Sequence, residues 1–332
     1  MGTKIFKIES YLPEKILTNA DLANEFNRWD PEKIERKLGI RERHISSDEE
    51  TAGDLALKAA EKVLQDFDRS KVDMLILCTQ SPDHFLPTTA CILQNKLELR
   101  TTIGAYDFNL GCSGYIYGLA MAKSFINTGI ANIVLLIMAE TYSKHIHPKD
   151  LANRTIFGDG AAATLLEKNA EENIFEFIFG TDGRGKNNLI VPNGCFRSRR
   201  ELIINDKTNE AGDIFTDNNL QMNGPEIFNF TIDAVPLAIN QCLEKNSIKL
   251  DEINYVIFHQ ANKFIIDYLR KKMRIPAEKF YTNILLTGNT VSVTIPLALA
   301  DSLKQGYVKP GDKVLLSGFG VGYSWGAVVI KI

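Results

Sequence analysis

Two parts of this chain carry similar sequence patterns in the same order, one in each half. The apolar segment VDMLILC ends at Cys78, and the similar segment INYVIFH ends at His259. Further along, VLLI begins at Val134 and VLLS begins at Val314, so the second pair has nearly the same offset as the first. A repeat at a fixed offset indicates that one structural unit occurs twice in the chain.

Two residues that can carry chemistry occupy equivalent positions in this repeat. Cys112 precedes Gly129 by the same number of positions as Asn289 precedes Gly306, with a helix-like segment in each interval. Two copies packed around a pseudo-twofold axis would bring equivalent loops together. The repeat therefore predicts that Cys112, Asn289 and His259 meet at a common centre. The alternative is a chance similarity between two ordinary α/β units.

Strand-like and helix-like segments alternate along the chain, which is typical of an α/β protein with crossover helices. The strand candidates are mostly continuous apolar runs, and the helix candidates carry apolar residues three or four positions apart. The predicted strands are 72–78, 105–109, 133–139, 161–166, 253–259, 314–318 and 327–332, and the predicted helices are 54–67, 114–127, 264–273 and 296–305. Gly, Asn and charged residues dominate 182–223, so we expect a long surface excursion there.

The composition limits the possible partners and compartments. The 332 residues include 38 Lys and Arg against 41 Asp and Glu, so a net charge of −3 supplies no global field that attracts nucleic acid. The five cysteines include no C-x-x-C pair, which favours reduced thiols and a cytoplasmic location. The most apolar stretch, 133–139, is too short to cross a membrane and predicts a buried strand.

Cys112 stands in DFNLGCSGYIYGLAMAK, after one strand candidate and directly before a helix candidate. A helix N-terminus carries about half a positive charge, which favours the nucleophilic thiolate. Gly111 and Gly114 leave room for a substrate carbonyl, and the N–H of Cys112 can point at an oxyanion. The alternative is a buried small apolar residue. The other cysteines lack this setting, and Ser113 lacks the G-x-S-x-G pattern of a serine nucleophile.

His259 and Asn289 are the candidate partners of this thiol. His259 ends the strand candidate YVIFH, and open α/β sheets bind ligands at the carboxyl ends of their strands. Asn289 follows Gly288 and precedes a helix candidate, where a turn-forming or capping asparagine would also stand. Their relation to Cys112 in the repeat strengthens the functional interpretation of all three.

Two further motifs are weaker. His145 and His147 form an H-x-H pair, but Pro148 follows at once and no third ligand is apparent, so we expect no metal site. The segment GFGVGYSWG at 318–326 mimics a dinucleotide fingerprint, yet a strand candidate follows it instead of a helix. Its glycines would instead let backbone N–H groups approach a substrate, and we expect no cofactor.

Taken together, several motifs resemble the β-ketoacyl-acyl-carrier-protein synthases III of the thiolase superfamily. The resemblance covers almost the whole chain and keeps the family's order of motifs. The matching segments are LPEKILTNADL, GIRERHI, PTTACILQ, DFNLGCSGYIYG, FGDGAAATLLE, HQAN, GNTVSVTIPLAL and GFGVGYSWGA.

The resemblance implies a duplicated, five-layered αβαβα fold, with halves at 1–172 and 173–332, that works as a homodimer. The first half would carry the nucleophilic cysteine and the second half the histidine and asparagine. Matched position by position, the family's catalytic residues fall on Cys112, His259 and Asn289, and its oxyanion N–H groups on Cys112 and Val321. The residues of the acyl pocket fall on Phe157, Phe319 and Leu86, and Leu86 would come from the partner subunit. The basic residues that dock the carrier protein fall on Lys271 and Lys272.

The implied reaction is a decarboxylative Claisen condensation in fatty acid biosynthesis. Cys112 would take an acyl group from acyl-CoA or an acylated carrier protein. Malonyl-acyl-carrier-protein would then lose carbon dioxide, and a neutral His259 and Asn289 would donate hydrogen bonds to the enolate. The alternatives are an acyltransferase of the same fold that forms an ester or amide, a chalcone-type polyketide synthase, and a scaffold subunit without turnover.

The sequence departs from the best-studied family members at positions where those members grip coenzyme A. Lys33 stands in place of a tryptophan and Lys37 in place of an arginine, while Pro225 replaces an asparagine and Phe264 an arginine. This pattern leads to the hypothesis that the condensation is retained while the acyl donor has changed, either to a different acyl-CoA or to an acyl group on a carrier protein.

Overall fold

The computed structural model describes residues 2–332 of the chain. The strands, β1 to β15 in chain order, are Gly2–Tyr11, Ile16–Thr18, Glu42–His44, Met74–Cys78, Gly104–Phe108, Ile133–Glu140, Gly160–Asn169, Ile178–Thr181, Leu189–Ile190, Lys207–Thr208, Ile214–Phe215, Gln221–Met222, Tyr255–Phe258, Lys313–Gly320 and Ser324–Lys331. The α-helices, α1 to α10, are Asn19–Phe26, Pro31–Leu38, Ala52–Leu64, Thr89–Lys96, Gly114–Asn127, Leu151–Arg154, Gly224–Lys245, Lys263–Lys272, Ile284–Thr287 and Thr294–Lys304.

Two mixed sheets with the same internal order form the framework. The first sheet has the order β1-β7-β6-β4-β5, and the second has the order β8-β15-β14-β13. In each sheet the first three strands are antiparallel neighbours and the next pair is parallel. A parallel bridge between Val256 and Phe280 occupies the place that β5 has in the first sheet. This shared order matches the repeat in the sequence.

The two sheets and their helices stack in five layers, as the resemblance implies. Helices α5 and α10 lie in the middle, where Leu119 and Leu297 share a buried cluster with Leu136 of the first sheet and Leu316 of the second. Helices α3 and α4 cover the outer face of the first sheet. Helices α7 and α8 cover the outer face of the second. Because both faces of each sheet are buried, the central strands are apolar along their whole length.

The periodic segments form the predicted elements, with shifts of a few residues at the ends. The predicted helix 114–127 matches α5, and all seven predicted strands correspond to β4, β5, β6, β7, β13, β14 and β15. The predictions omitted the long helix α7, whose apolar pattern is interrupted by Pro225 and Pro236. They also omitted β1, an edge strand in which Lys4 and Lys7 interrupt the apolar residues.

The segment 182–223 packs more closely against the rest of the chain than a surface excursion would. It contains a short 3₁₀ helix and four two-residue strands that pair into two small sheets. Leu189 and Leu220 from this segment are nevertheless buried against Cys112 in one apolar cluster. The excursion therefore helps to build the interior near the site.

The strands of the first sheet lie within residues 2–169 and those of the second within residues 178–331. The division into halves at 172 and 173 stays a prediction. Within residues 2–332, none of the helices has both the length and the apolar character needed to cross a membrane. The cytoplasmic location also stays a prediction.

Candidate active site

A cavity of about 480 Å³ opens where loops of the two halves meet, and Cys112, His259 and Asn289 all line it. The three side chains are 5%, 2% and 5% exposed, respectively. The rest of the lining is mostly apolar and consists of Ile156, Phe157, Leu189, Met222, Gly224, Pro225, Ile227, Phe228, Thr231, Ala261, Asn262, Phe264, Ile265, Phe319 and Gly320. Among the described residues, none of those that line this cavity carries a charge.

Cys112 lies in the short loop between β5 and α5, two residues before the helix begins. The glycine-rich strand β14 passes directly beside it. A Cβ atom on Gly320 would lie 2.7 Å from the Cys112 sulfur, and one on Gly318 would lie 2.7 Å from the Cys112 carbonyl oxygen. Both distances are shorter than real Cβ contacts, so this approach requires glycine at both positions.

Burial dominates the acidity of this thiol. It raises the pKa of Cys112 to about 12, although hydrogen bonds from the N–H of Val321 and from the N–H of Cys112 itself lower that pKa in part. Burial therefore outweighs the hydrogen bonds that favour the thiolate, and the resting thiol is protonated. The two N–H groups point at the sulfur, so the carbonyl oxygen of an acyl group bonded to that sulfur would lie close to both donors.

His259 directly follows β13 and is anchored through both its backbone and its ring. Its N–H donates to the carbonyl of Ser317 on the neighbouring strand at 2.8 Å. Its Nδ1 lies 2.7 Å from the hydroxyl of Thr294, and that hydroxyl is 3.0 Å from the carbonyl oxygen of Val291. Because Nδ1 is engaged, Nε2 is the ring nitrogen left for the cavity. Burial lowers the pKa of His259 to about 3, so the imidazole is neutral.

Asn289 stands between α9 and a 3₁₀ turn at Val291–Val293. The N–H of Val291 donates to Asn289 Oδ1 at 2.9 Å, which fixes Nδ2 as the donor end of the amide. Nδ2 donates one hydrogen bond to the carbonyl of Ala261 at 3.3 Å, and its second N–H is left for the cavity. Val291 has φ +56°, a left-handed conformation that β-branched residues rarely adopt. The Asn289 N–H and carbonyl bind Ile156 and Gly158 of the first half. This backbone pairing holds the asparagine from both halves of the chain.

The other predicted site residues divide into those at the cavity and those away from it. Phe157 and Phe319 line the cavity, and the Phe319 ring meets His259 edge to face at 5.5 Å. Leu86 does not line it and is 81% exposed. Lys271 and Lys272 end α8, and Lys272 donates to the carbonyl of Ile232 and lies 3.7 Å from an Asp233 oxygen.

The four residues that differ from those of the best-studied family members lie in two separate places. Pro225 and Phe264 line the cavity, where Phe264 packs on Phe228 with ring centroids 5.4 Å apart. Lys33 and Lys37 lie on α2, outside that lining, and Lys37 stacks over the ring of Trp29.

Several supporting residues were not found from the sequence. Thr294, which holds the His259 ring, and Glu140, which ends β6, are both buried polar residues close to the site. Glu140 could have been noticed in the sequence, because it is a lone carboxylate at the end of the apolar run that predicts a buried strand. His145 and His147 bind different partners, Gln80 and Lys149, respectively.

Comparison with known proteins decides the family. Residues 106–183 match the family model described as 3-oxoacyl-[acyl-carrier-protein (ACP)] synthase III, and residues 243–332 match the model of its C-terminal part. The β-ketoacyl-[acyl-carrier-protein] synthase III of Clostridium perfringens strain 13 is 38% identical over 338 residues, covering 100% of this chain and 99% of the relative. The chain belongs to the 3-oxoacyl-[acyl-carrier-protein] synthase III family.

Other synthases III extend this similarity. The relative from Clostridium acetobutylicum is 35% identical over 332 residues, covering 99% of this chain and 98% of the relative. A 2.1 Å crystal structure of a 3-oxoacyl-(acyl-carrier-protein) synthase III superposes with TM-score 0.98 at 45% identity and covers 100% of both chains. The Burkholderia xenovorans synthase has TM-score 0.92 at 35% identity, covering 100% of this chain and 94% of its own. This similarity confirms the thiolase-like fold.

We predict that Gly320→Ala abolishes acylation of Cys112, because the added methyl group would lie 2.7 Å from the sulfur. Mass spectrometry of the intact protein after incubation with an acyl thioester measures this. Gly183→Ala is the matched control, since a Cβ there would have no atom within 4 Å. Equal acylation of the two variants would contradict the tight fit between β14 and the cysteine.

Proposed function

We propose that the chain condenses an acyl primer with malonyl-acyl-carrier-protein through an acyl-enzyme on Cys112, releasing carbon dioxide. The observation that carries this proposal is the convergence of Cys112, His259 and Asn289 on one apolar cavity. The family relationship already makes the chain an acyl-condensing enzyme. The proposal adds which residues perform each step.

In the first step the Cys112 sulfur attacks the carbonyl of the acyl donor. The new S–C bond forms as the donor's C–S bond breaks, and the thiol proton ends on the released thiol. Because burial keeps the pKa of Cys112 at about 12, the proton must leave during the attack. The N–H groups of Cys112 and Val321 hold the oxygen of the tetrahedral intermediate.

In the second step malonyl-acyl-carrier-protein loses carbon dioxide, and the electron pair of the broken C–C bond forms an enolate. Asn289 Nδ2 donates a hydrogen bond to the enolate oxygen, and so does Nε2–H of the neutral His259, in the tautomer in which the Thr294 hydroxyl donates to Nδ1. The enolate carbon then attacks the acyl group on Cys112, and the thiolate leaves and regains a proton. Decarboxylation supplies the carbanion, so no strong base is needed.

The relatives distinguish this reaction from its alternatives. The curated proteins that match over the full chain at 38% and 39% identity are named β-ketoacyl-[acyl-carrier-protein] synthases III. This favours the condensation over ester or amide formation and over a chalcone-type polyketide synthase. The carrier protein would dock at the end of α8, where Lys271 and Lys272 give positive charge for an acidic surface.

We predict that Asn289→Ala lowers condensation by about 10²–10³-fold, because one enolate donor is lost, while acylation of Cys112 stays near its wild-type rate. Carbon dioxide release from malonyl-acyl-carrier-protein and mass spectrometry of Cys112 report the two steps separately. Asn187→Ala is the control, because Asn187 is exposed. An equal loss in both steps would contradict a role for Asn289 at the enolate.

The cavity mouth supports the changed-donor hypothesis. Pro225, Phe228 and Phe264 line the cavity with uncharged apolar groups, whereas phosphate groups are ordinarily held by arginine or lysine. The donor would then be an acyl-CoA other than acetyl-CoA, or an acylated carrier protein.

A panel of acyl-CoAs and acyl-carrier proteins tests the donor, with the acylation rate of Cys112 as the readout. We expect acetyl-CoA to be a slow donor and Phe264→Arg to raise its kcat/KM, because a cation would then face the phosphates. Phe6→Arg, on the exposed edge of β1, controls for added charge. Rapid, selective acetylation of the wild type by acetyl-CoA would refute the hypothesis.

We propose that the chain forms a homodimer in which the partner's Leu86 closes the acyl pocket. Strand β5 is an edge strand with its outer side unpaired in the described chain. Exposed apolar side chains also cluster on two loops, and the rings of Phe85 and Phe196 lie 6.0 Å apart. The most exposed members are Phe85, Leu86, Phe196, Leu202 and Ile203. Clusters of this kind mark protein interfaces.

We predict a mass of about twice 37.2 kDa by light scattering. Leu86→Asp should slow acylation, because the pocket wall supplied across the interface becomes charged. Ile130→Asp, at an exposed residue after α5, is the control. A fully active monomer would overturn the proposal.

A further inference from the structure

Glu140 is a fully buried carboxylate for which the proposed reaction has no role. It ends β6 at the carboxyl edge of the first sheet, with 0% exposure. No lysine or arginine among the described residues forms an ion pair with it. A buried carboxylate without a cation is costly unless several donors satisfy it.

Three donors from two different loops converge on this carboxylate. The hydroxyl of Ser292 donates to Oε1 at 2.8 Å. The N–H of Gln80 and the hydroxyl of Ser81 both donate to Oε2 at 3.1 Å. Glu140 therefore joins the loop after β4, in the first half, to the turn before α10, in the second half.

The hydrogen-bond partners of Glu140 on both sides lie next to residues of the candidate site. The Gln80 side chain packs on the residue before Cys112, since a Cβ on Gly111 would lie 2.6 Å from Gln80 Oε1. Ser292 belongs to the 3₁₀ turn Val291–Val293, whose first N–H orients the Asn289 amide. Glu140 thus connects the loop beside Cys112 with the turn that orients Asn289.

We propose that Glu140 is a positioning residue that fixes the Asn289 turn against the Cys112 loop. The proposal rests on the roles proposed above for Cys112 and Asn289. Without the carboxylate, the two loops would lose their shared acceptor, and Asn289 would no longer meet the enolate in line with the acyl group on Cys112. Acylation needs only Cys112 and its N–H groups, so the condensation step should suffer more.

The charge of Glu140 acts on Cys112, so replacing Glu140 should change the reactivity of that thiol. The loss of a purely structural contact would not have this effect. The titratable groups that face Glu140 are Cys78, Cys112, Tyr142 and Asp159. Burial raises the pKa of Glu140 to about 8, and the hydrogen bonds from Ser292, Gln80 and Ser81 lower it in part. Above that pH the carboxylate is charged and raises the pKa of Cys112.

Glu140→Gln keeps the side-chain shape but removes the charge and one acceptor oxygen. We expect condensation to fall about tenfold, the loss of one buried hydrogen bond, with acylation nearly unchanged. Alkylation of Cys112 by iodoacetamide should become faster than in the wild type above pH 8, because the charge that opposes the thiolate is gone. Glu278→Gln, at an exposed site, is the control.

Ser292→Ala is a second variant in case Glu140→Gln does not fold, because it removes only the hydrogen bond from Ser292 to Glu140. We expect the same selective loss of condensation, about tenfold. Because the Ser292 hydrogen bond lowers the pKa of Glu140, the carboxylate should become charged at a higher pH in this variant, so faster alkylation should be confined to the pH range just above 8. Wild-type condensation in Ser292→Ala, or in a folded Glu140→Gln, would overturn the proposal. If Asn289→Ala itself left condensation intact, the proposed function would fail instead.

Discussion

The burial of a thiol, an imidazole and a carboxamide at the junction of two sheets is the constraint on which this structure depends. Each group comes from a different loop, so the loops of both halves must meet within a side chain's reach. Glycine makes this possible at the closest point, where Gly320 lies against the Cys112 sulfur. The backbone pairing of Asn289 with Ile156 and Gly158 then locks the second half onto the first.

Burial also determines the protonation states in the site. It raises the pKa of Cys112 to about 12 and lowers that of His259 to about 3, so both groups are neutral at rest. An ion pair between them would require two charges in an apolar cavity. Neutral groups suit a condensation in which decarboxylation creates the carbanion and nearby N–H groups receive the developing charge. The lack of water around Cys112 is therefore the largest influence on its pKa.

The internal repeat in the sequence made it possible to predict the fold and the central residues of the site. Equivalent positions of Cys112 and Asn289 in the repeat predicted their meeting, because duplicated units place equivalent loops together. Thr294 and Glu140 could not be found in this way. Glu140 contacts Ser292 from a distant part of the sequence, and such a contact has no local pattern. The contribution of Leu189 to the cavity was also missed, since 182–223 has the composition of a surface loop.

A single-turnover experiment with a labelled acyl donor tests the central claim, that one cavity performs both steps on Cys112. The label should appear on the Cys112 peptide and leave it, on addition of malonyl-acyl-carrier-protein, at the rate at which the labelled β-ketoacyl product forms. Product formation while the label stays on Cys112, or while Cys112 never carries it, would contradict the account.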